Sequence, residues 1–341
     1  MTFWFDESRL DDESVWQSAD GRFRTLAESG ARVRREASEA AEAIAVGVAR
    51  AAGQQRPRAV VAAGPDSRLL RAVLEPWCPV PFVAWPHPSL PGWAGGLDLV
   101  VVLAPDGGLG SAAAVAEAVR RGCQVVVACP PGSTVAEHAA GRWSTILPTP
   151  GRDPLATAVV MLEYLEQVQL GPRADAESVA TALDEVAIAC SPHRDLAVNP
   201  AKMLAIAMAD TVPVVWGGSV LAARAARRIA ESLRRVSGRS ALAGDAEHLL
   251  PVLEAARPRD VFDDPFADSG GDLRPMLLVL DDGNEEPVVR ESRGRLQAAA
   301  SSRGVRVETR TTDAPTEVAR YASLFLSGSY AVEYLGLGLV E

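Results

Sequence analysis

The sequence predicts an α/β protein of two open parallel sheets in tandem, each layered between helices. Three observations predict it. Short β-branched runs alternate with helical stretches along the chain, which is the pattern of a parallel sheet joined by crossover helices. The runs are near-continuously apolar, as strands covered on both faces require. At 341 residues the chain is too long for one ordinary core and fits two. The expected division gives a first domain over residues 1–170 and a second over 171–341, the second opening on a linker helix.

The elements follow in order. Residues 24–53 read as one helix, with Gly53 as its stop. Ala59–Ala63 is a short apolar strand that runs into Gly64-Pro65-Asp66-Ser67 and a helix. Pro79–Trp85 and Leu97–Ala104 are the next strands, the latter ending in Pro105-Asp106-Gly107-Gly108 before a helix over 111–122. Gln124–Cys129 and Ser144–Leu147 complete the first set. Helical stretches over Pro154–Gln169 and Ala176–Ala189 lead to a second set. There Val212–Trp216 enters Gly217-Gly218-Ser219 and a helix over 220–236. Ser240–Leu242 is a short strand, Met276–Leu280 ends in Asp281-Asp282-Gly283, a helix lies near 286–303, and Val305–Thr309 is the last strand. An apolar helix over roughly 316–338 closes the chain. The tandem pattern suggests a duplication, although no repeat is visible residue by residue.

Composition excludes several classes. With 48% hydrophobic and 23% charged residues the chain is globular. No apolar run approaches the roughly 18 residues of a membrane span, and the start lacks the basic and apolar regions of a signal peptide. A net charge of −10 argues against nucleic acid as a partner. Cys78, Cys123, Cys129 and Cys190 form no CxxC pair and have no histidine in ligand spacing. They read as reduced, buried thiols of a cytoplasmic protein, and neither a metal nor a cofactor is expected. Lys202 is the only lysine among 34 basic residues, so a mechanism needing a lysine must use it. Trp77, Trp85, Trp93 and Trp216 lie in or beside strands and read as core. His87, His138 and His193 have no matched partner and read as structural.

In open parallel sheets ligands bind beyond the carboxyl ends of strands, where the strand order reverses. The loops there are therefore the informative residues. Residues 87–128, 199–229 (NPAKMLAIAMADTVPVVWGGSVLAARAARRI) and 317–339 resemble, in order, segments of the bifunctional phosphoglucose/phosphomannose isomerases, which are double sugar-isomerase (SIS) domain proteins. The resemblance implies two tandem SIS domains of three-layer α/β/α form, a sugar phosphate or related carbohydrate as ligand, aldose–ketose isomerisation as the family activity, and a homodimer.

Several of the motifs depart from that family. Its first-domain loop, Ser-x-Ser-Gly-Asn-Thr, holds the substrate phosphate at a helix N-terminus. The matching stretch is Ala104-Pro105-Asp106-Gly107-Gly108-Leu109, with no hydroxyl before Ser111. Asp106 either repels a dianion, by roughly 4 kcal/mol at 4 Å and intermediate dielectric, or caps its own helix. Gly64 to Ser67 match the family's first glycine loop, again with Pro-Asp before a helix. Gly217-Gly218-Ser219 alone keeps a small, hydroxyl-bearing character, suited to an anion or equally to a tight turn. In isomerisation a carboxylate moves a proton between C1 and C2, and a histidine helps to open the ring. Leu233–Arg239 has no carboxylate where the resemblance expects one. Glu247-His248 fits the later part of the pattern, which makes His248 the candidate site histidine or else a surface residue. Glu231 is a candidate base one turn earlier. The readings left open are a phosphosugar isomerase with a rearranged site and weak activity, a non-catalytic sugar-phosphate sensor, and a partner subunit of an active isomerase.

Overall fold

The computed structural model describes residues 4–257 and 273–340. The chain forms two compact units, one over 29–181 and one that joins residues 1–28 to 182–341. The amino-terminal segment that the sequence places in the first domain thus packs with the second. For the same reason the helix expected over 24–53 is two helices, Asp20–Ala27 and Ser29–Ala51, parted at Glu28. Their apolar stripe looks continuous but serves two cores. Phe23 packs on Tyr330 and Tyr334, with ring centroids 6.2 and 4.9 Å away, whereas Val33, Ala40 and Ile44 are buried in the 29–181 unit.

In the 29–181 unit five parallel strands lie in the order Phe82–Trp85, Val60–Ala63, Leu99–Leu103, Gln124–Cys129, Ser144–Pro148. One face buries Val61, Val100, Val102, Val125 and Val127 against Ala114, Val115 and Ala118 of the helix Leu109–Arg120. The other face is covered by the helices Ser29–Ala51 and Pro154–Gln167, which pack on each other and on the strands. The second of these starts cleanly because Asp153 accepts from the Leu155 and Ala156 N–H groups at 2.9 and 3.0 Å, with Pro154 in the first turn.

The second unit has four parallel strands in the order Arg306–Thr311, Arg274–Asp281, Thr211–Gly217, Leu242–Ala243. In chain order this is the arrangement of the first four strands of the other sheet. Both sheets therefore reverse their order between the first and third strands, after Ala63 and Leu103 in one and after Gly217 and Asp281 in the other. Helices Ala246–Glu254 and Pro287–Ser302 cover one face, where Leu249, Leu253 and Leu296 meet Val214, Trp216, Leu277 and Val279. Helices Pro200–Ala209, Val220–Ser237 and Glu317–Gly338 pack together as the layer on the opposite face.

The sole lysine is a structural post in this layer. Its side chain is fully buried, and Nζ donates to Asp11 Oδ1 at 2.6 Å, to the Arg194 carbonyl at 2.8 Å and to the Pro192 carbonyl at 3.0 Å. Asn199 beside it accepts from the Ala201 and Lys202 N–H groups and donates to the Ser191 carbonyl. The Asn-Pro-Ala-Lys segment is thus a helix cap and a loop clamp, with every ammonium proton committed. Of the tryptophans expected in the core, Trp216 is buried and Trp85 half-buried, but Trp77 and Trp93 are exposed. Trp77 lies in the turn that ends the helix Ser67–Leu74, and Trp93 in the loop between the strands Phe82–Trp85 and Leu99–Leu103. Cys123, Cys129 and Cys190 are buried free thiols and Cys78 is half-buried.

Candidate functional site

At the switch point of the 29–181 unit two loops meet. Gly64 adopts φ +90°, a conformation that disfavours side chains, and a Cβ there would lie 3.3 Å from Ser111 Oγ. A Cβ on Gly110 would lie 3.5 Å from Pro65, so the 64–67 and 104–111 loops abut. Gly107, at φ +62°, faces Ser133 of the next loop. Ser133 completes this loop cluster and is absent from the expected set. The Pro-Gly-Ser-Thr stretch after a buried strand was the available signal, since Ser133 caps the short helix Thr134–His138.

Ser67 is 1% exposed, and its hydroxyl has no partner among the described residues. Ser111 is buried, with only a 3.5 Å contact from its hydroxyl to the Leu103 carbonyl. Asp106 does not cap the following helix. It sits at the apex of a turn closed by the Gly107 N–H on the Ala104 carbonyl at 3.1 Å, while the helix begins only at Leu109, with Gly108 as its cap residue and no side-chain acceptor. Asp106 is exposed, so water and salt screen its charge and bring its repulsion of an anion 4 Å away below about 4 kcal/mol. The first-turn N–H groups of this 12-residue helix have no side-chain acceptor at the cap, and Ser111 lies within that turn.

The corresponding point of the second unit is occupied differently. Gly217, Gly218 and Ser219 line a cleft of about 280 Å³ with Trp216, Arg227 and Asp245. Ser219 accepts from the Ala222 N–H at 3.0 Å and donates to the Asp282 carboxylate. The Asp282 carbonyl accepts from Arg320 at 3.1 Å, and Asp281 is paired with Arg293 at 2.5 Å. The hydroxyl expected to meet an anion thus already binds a carboxylate. The glycines serve close packing, because a Cβ on Gly217 would fall 2.3 Å from the Ala222 backbone and one on Gly218 would fall 2.3 Å from Val289.

The two acid–base candidates are not brought together. Glu231 lies on the helix Val220–Ser237, half-buried, 3.2 Å from Arg228. That helix packs on Glu317–Gly338. His248 is exposed in the first turn of Ala246–Glu254, the helix that covers the opposite face of the sheet. Its neighbour Glu247 is held by Arg295 at 2.6 Å, which lowers the Glu247 pKa. Among the other histidines, His193 lies edge-on to Trp16 at 4.8 Å and His87 edge-on to Trp85 at 5.4 Å. Among the described residues no helix is long and apolar enough to cross a membrane.

No curated protein matches the chain by sequence. The fold is shared with tagatose-6-phosphate ketose/aldose isomerase from Escherichia coli, with a TM-score of 0.65 at 12% identity over 92% of this chain and 93% of that one. It is also shared with the C-terminal domain of glucosamine-fructose-6-phosphate aminotransferase from Francisella tularensis, with a TM-score of 0.59 at 11% identity over 91% and 97%. A glucose-6-phosphate isomerase like protein from Thermus thermophilus superposes with a TM-score of 0.56 at 16% identity over 96% and 92%. Residues 197–339 match the family profile of the bacterial phospho-glucose isomerase C-terminal SIS domain, and the chain as a whole has the fold of the SIS phosphosugar isomerases.

Proposed function

We propose that the protein binds a sugar phosphate or related carbohydrate derivative at the switch point of the 29–181 unit, with aldose–ketose isomerisation weak or lost. The observation that carries this reading is the open N-terminus of Leu109–Arg120, without a side-chain cap, against the 64–67 loop, whose Ser67 hydroxyl has no partner among the described residues. The N–H groups and helix dipole favour an anion there, and Gly108, where an added Cβ would meet nothing within 4 Å, lets it approach the backbone. The segments 199–229 and 317–339 support kinship with the bifunctional phosphoglucose/phosphomannose isomerases. Turnover requires a base and an acid on one substrate, and Glu231 and His248 lie on opposite layers of their sheet. A sensor role follows from binding without turnover, in a cytoplasmic homodimer, as the resemblance implies. A dimer mass in light scattering checks the assembly.

The test pairs thermal stabilisation by glucose-6-, fructose-6- and mannose-6-phosphate with a coupled isomerase assay. Binding raises Tm as mass action demands, and turnover stays well below the usual range of about 1–10³ s⁻¹. Ser111→Asp abolishes the stabilisation, and Asp106→Ser strengthens binding by about fivefold, the equivalent of about 1 kcal/mol. Turnover in the ordinary range, or no stabilisation by any of the three, overturns the proposal.

A further inference from the structure

The 29–181 unit has a second concavity at the other end of its sheet. A cleft of about 340 Å³ opens beside Leu99 and Gln124, the first residues of their strands. Ligands of open α/β folds gather at the carboxyl end, so this cleft is separate from the switch point. Its composition is unusual for the chain. The sequence has seven glutamines, and five of them, Gln54, Gln55, Gln124, Gln167 and Gln169, line this one cleft. None of the five amides hydrogen-bonds to another side chain or to the backbone among the described residues, whereas Gln17 elsewhere bonds Glu13.

Tyr164, Leu99 and Leu170 add a floor, each only 4% exposed. The Tyr164 hydroxyl has no hydrogen-bond partner among the described residues. No carboxylate lines the cleft, although acidic residues outnumber basic ones 44 to 34 in the chain. Arg56 is the one charged side chain, and it is exposed.

Gln169 is kept there at a cost. It follows the helix Pro154–Gln167 at φ +59°, the left-handed position where glycine is the usual residue. The N–H of Gln169 bonds the Glu166 carbonyl and that of Leu170 bonds the Leu165 carbonyl, at 2.9 and 2.8 Å, so the turn itself asks only for glycine. A side chain at this position strains the backbone, and here it lines the cleft.

We infer that this cleft is a second small-molecule site, which takes an uncharged ring with hydrogen-bonding edges, of the nucleobase type. Each amide offers an acceptor and two donors without charge, the pairing that lets a glutamine read the edge of an adenine. Leu99, Leu170 and Val48 supply apolar walls for the ring. The volume lies at the small end of ligand pockets, which suits one ring system and not a large cofactor.

Isothermal titration of the full chain with adenosine, with glucose as the competing source of a polar ring, tests the assignment. Adenosine is expected to bind saturably, and Gln54→Ala with Gln124→Ala to weaken it by about tenfold, the scale of one lost bidentate pair. Gln169→Gly is expected to raise Tm through relief of the left-handed strain, yet to weaken adenosine, so a folding defect cannot mimic the result. Ser111→Asp at the other end leaves adenosine binding unchanged. Binding of glucose but not adenosine overturns the nucleobase class. Absence of saturable binding by either, or binding indifferent to the glutamine variants, overturns the site.

Discussion

Lys202 was the single residue whose role the sequence narrowed most, because no other lysine could serve a mechanism. Its surroundings give it another task. With Nζ bonded to Asp11 and two loop carbonyls and its side chain sealed from solvent, it has no proton or lone pair to offer a substrate. Lys202→Met would leave the Pro192 and Arg194 carbonyls without their buried donor and Asp11 without its cation, at a cost of about 3 kcal/mol. Urea denaturation followed by tryptophan fluorescence reads that loss, and a change below about 1 kcal/mol would contradict the clamp. Asp106 taught the opposite lesson. A Pro-Asp-Gly-Gly string is compatible with a cap or a turn, and only the backbone decides between them. The helix starts two residues later than a capping role requires.

At the scale of elements, the buried strands were legible because continuous apolar runs bounded by turn residues have few other solutions. Val60–Ala63, Leu99–Leu103 and Gln124–Cys129 all lie within the expected runs. The five-residue helices Glu13–Gln17 and Thr134–His138 were not legible, since they span too few turns to show a period. Nor was the tie between the helix Ser29–Ala51 and the loop after Ser144–Pro148. There Glu36, 1% exposed, accepts from the Gly151 N–H at 2.5 Å, while its other oxygen is buried without a partner among the described residues. Burial pushes the Glu36 pKa up, against the Gly151 N–H that pulls it down. A raised folded-state pKa means that the neutral form is the one the fold prefers. Its contribution is complete below the ordinary glutamate range and is lost as pH rises through the raised value. Glu36→Gln keeps the acceptor and removes the titration. Its Tm relative to the parent should therefore climb as pH rises above the ordinary glutamate range; a difference that stays flat or falls there would show that Glu36 is ionised at no cost. Gly217→Ala makes a second element-scale test. It forces the helix Val220–Ser237 off the strand before it, with an expected loss of about 1–3 kcal/mol in urea denaturation.

At the scale of the molecule, the two sheets repeat one strand order, and that repetition was visible in the alternation of elements though not in the residues. The unequal division of the chain was not visible, because nothing local tells Leu10, Trp16 and Phe23 that their core lies beyond the whole 29–181 unit. These three side chains are 0, 9 and 3% exposed. Phe23 meets Tyr330 and Tyr334, Trp16 meets His193, and Arg9 donates to the Leu337 carbonyl at 3.0 Å. Phe5 lies against Gly338, where a Cβ would fall 2.2 Å from its ring, and pairs with Leu339 in a short antiparallel bridge. Burial of three large apolar side chains is worth roughly 5–9 kcal/mol, which is as much as the whole net stability of an ordinary domain. Loss of Asp11 also leaves the Lys202 ammonium buried with its carboxylate gone. The fragment 29–181, whose chain is continuous, should therefore fold alone with a sigmoidal denaturation curve. The fragment 182–341 should not, and co-expression with residues 1–28 should rescue it. Sharp, dispersed amide resonances from 182–341 alone would show that the amino-terminal segment decorates that core and does not complete it.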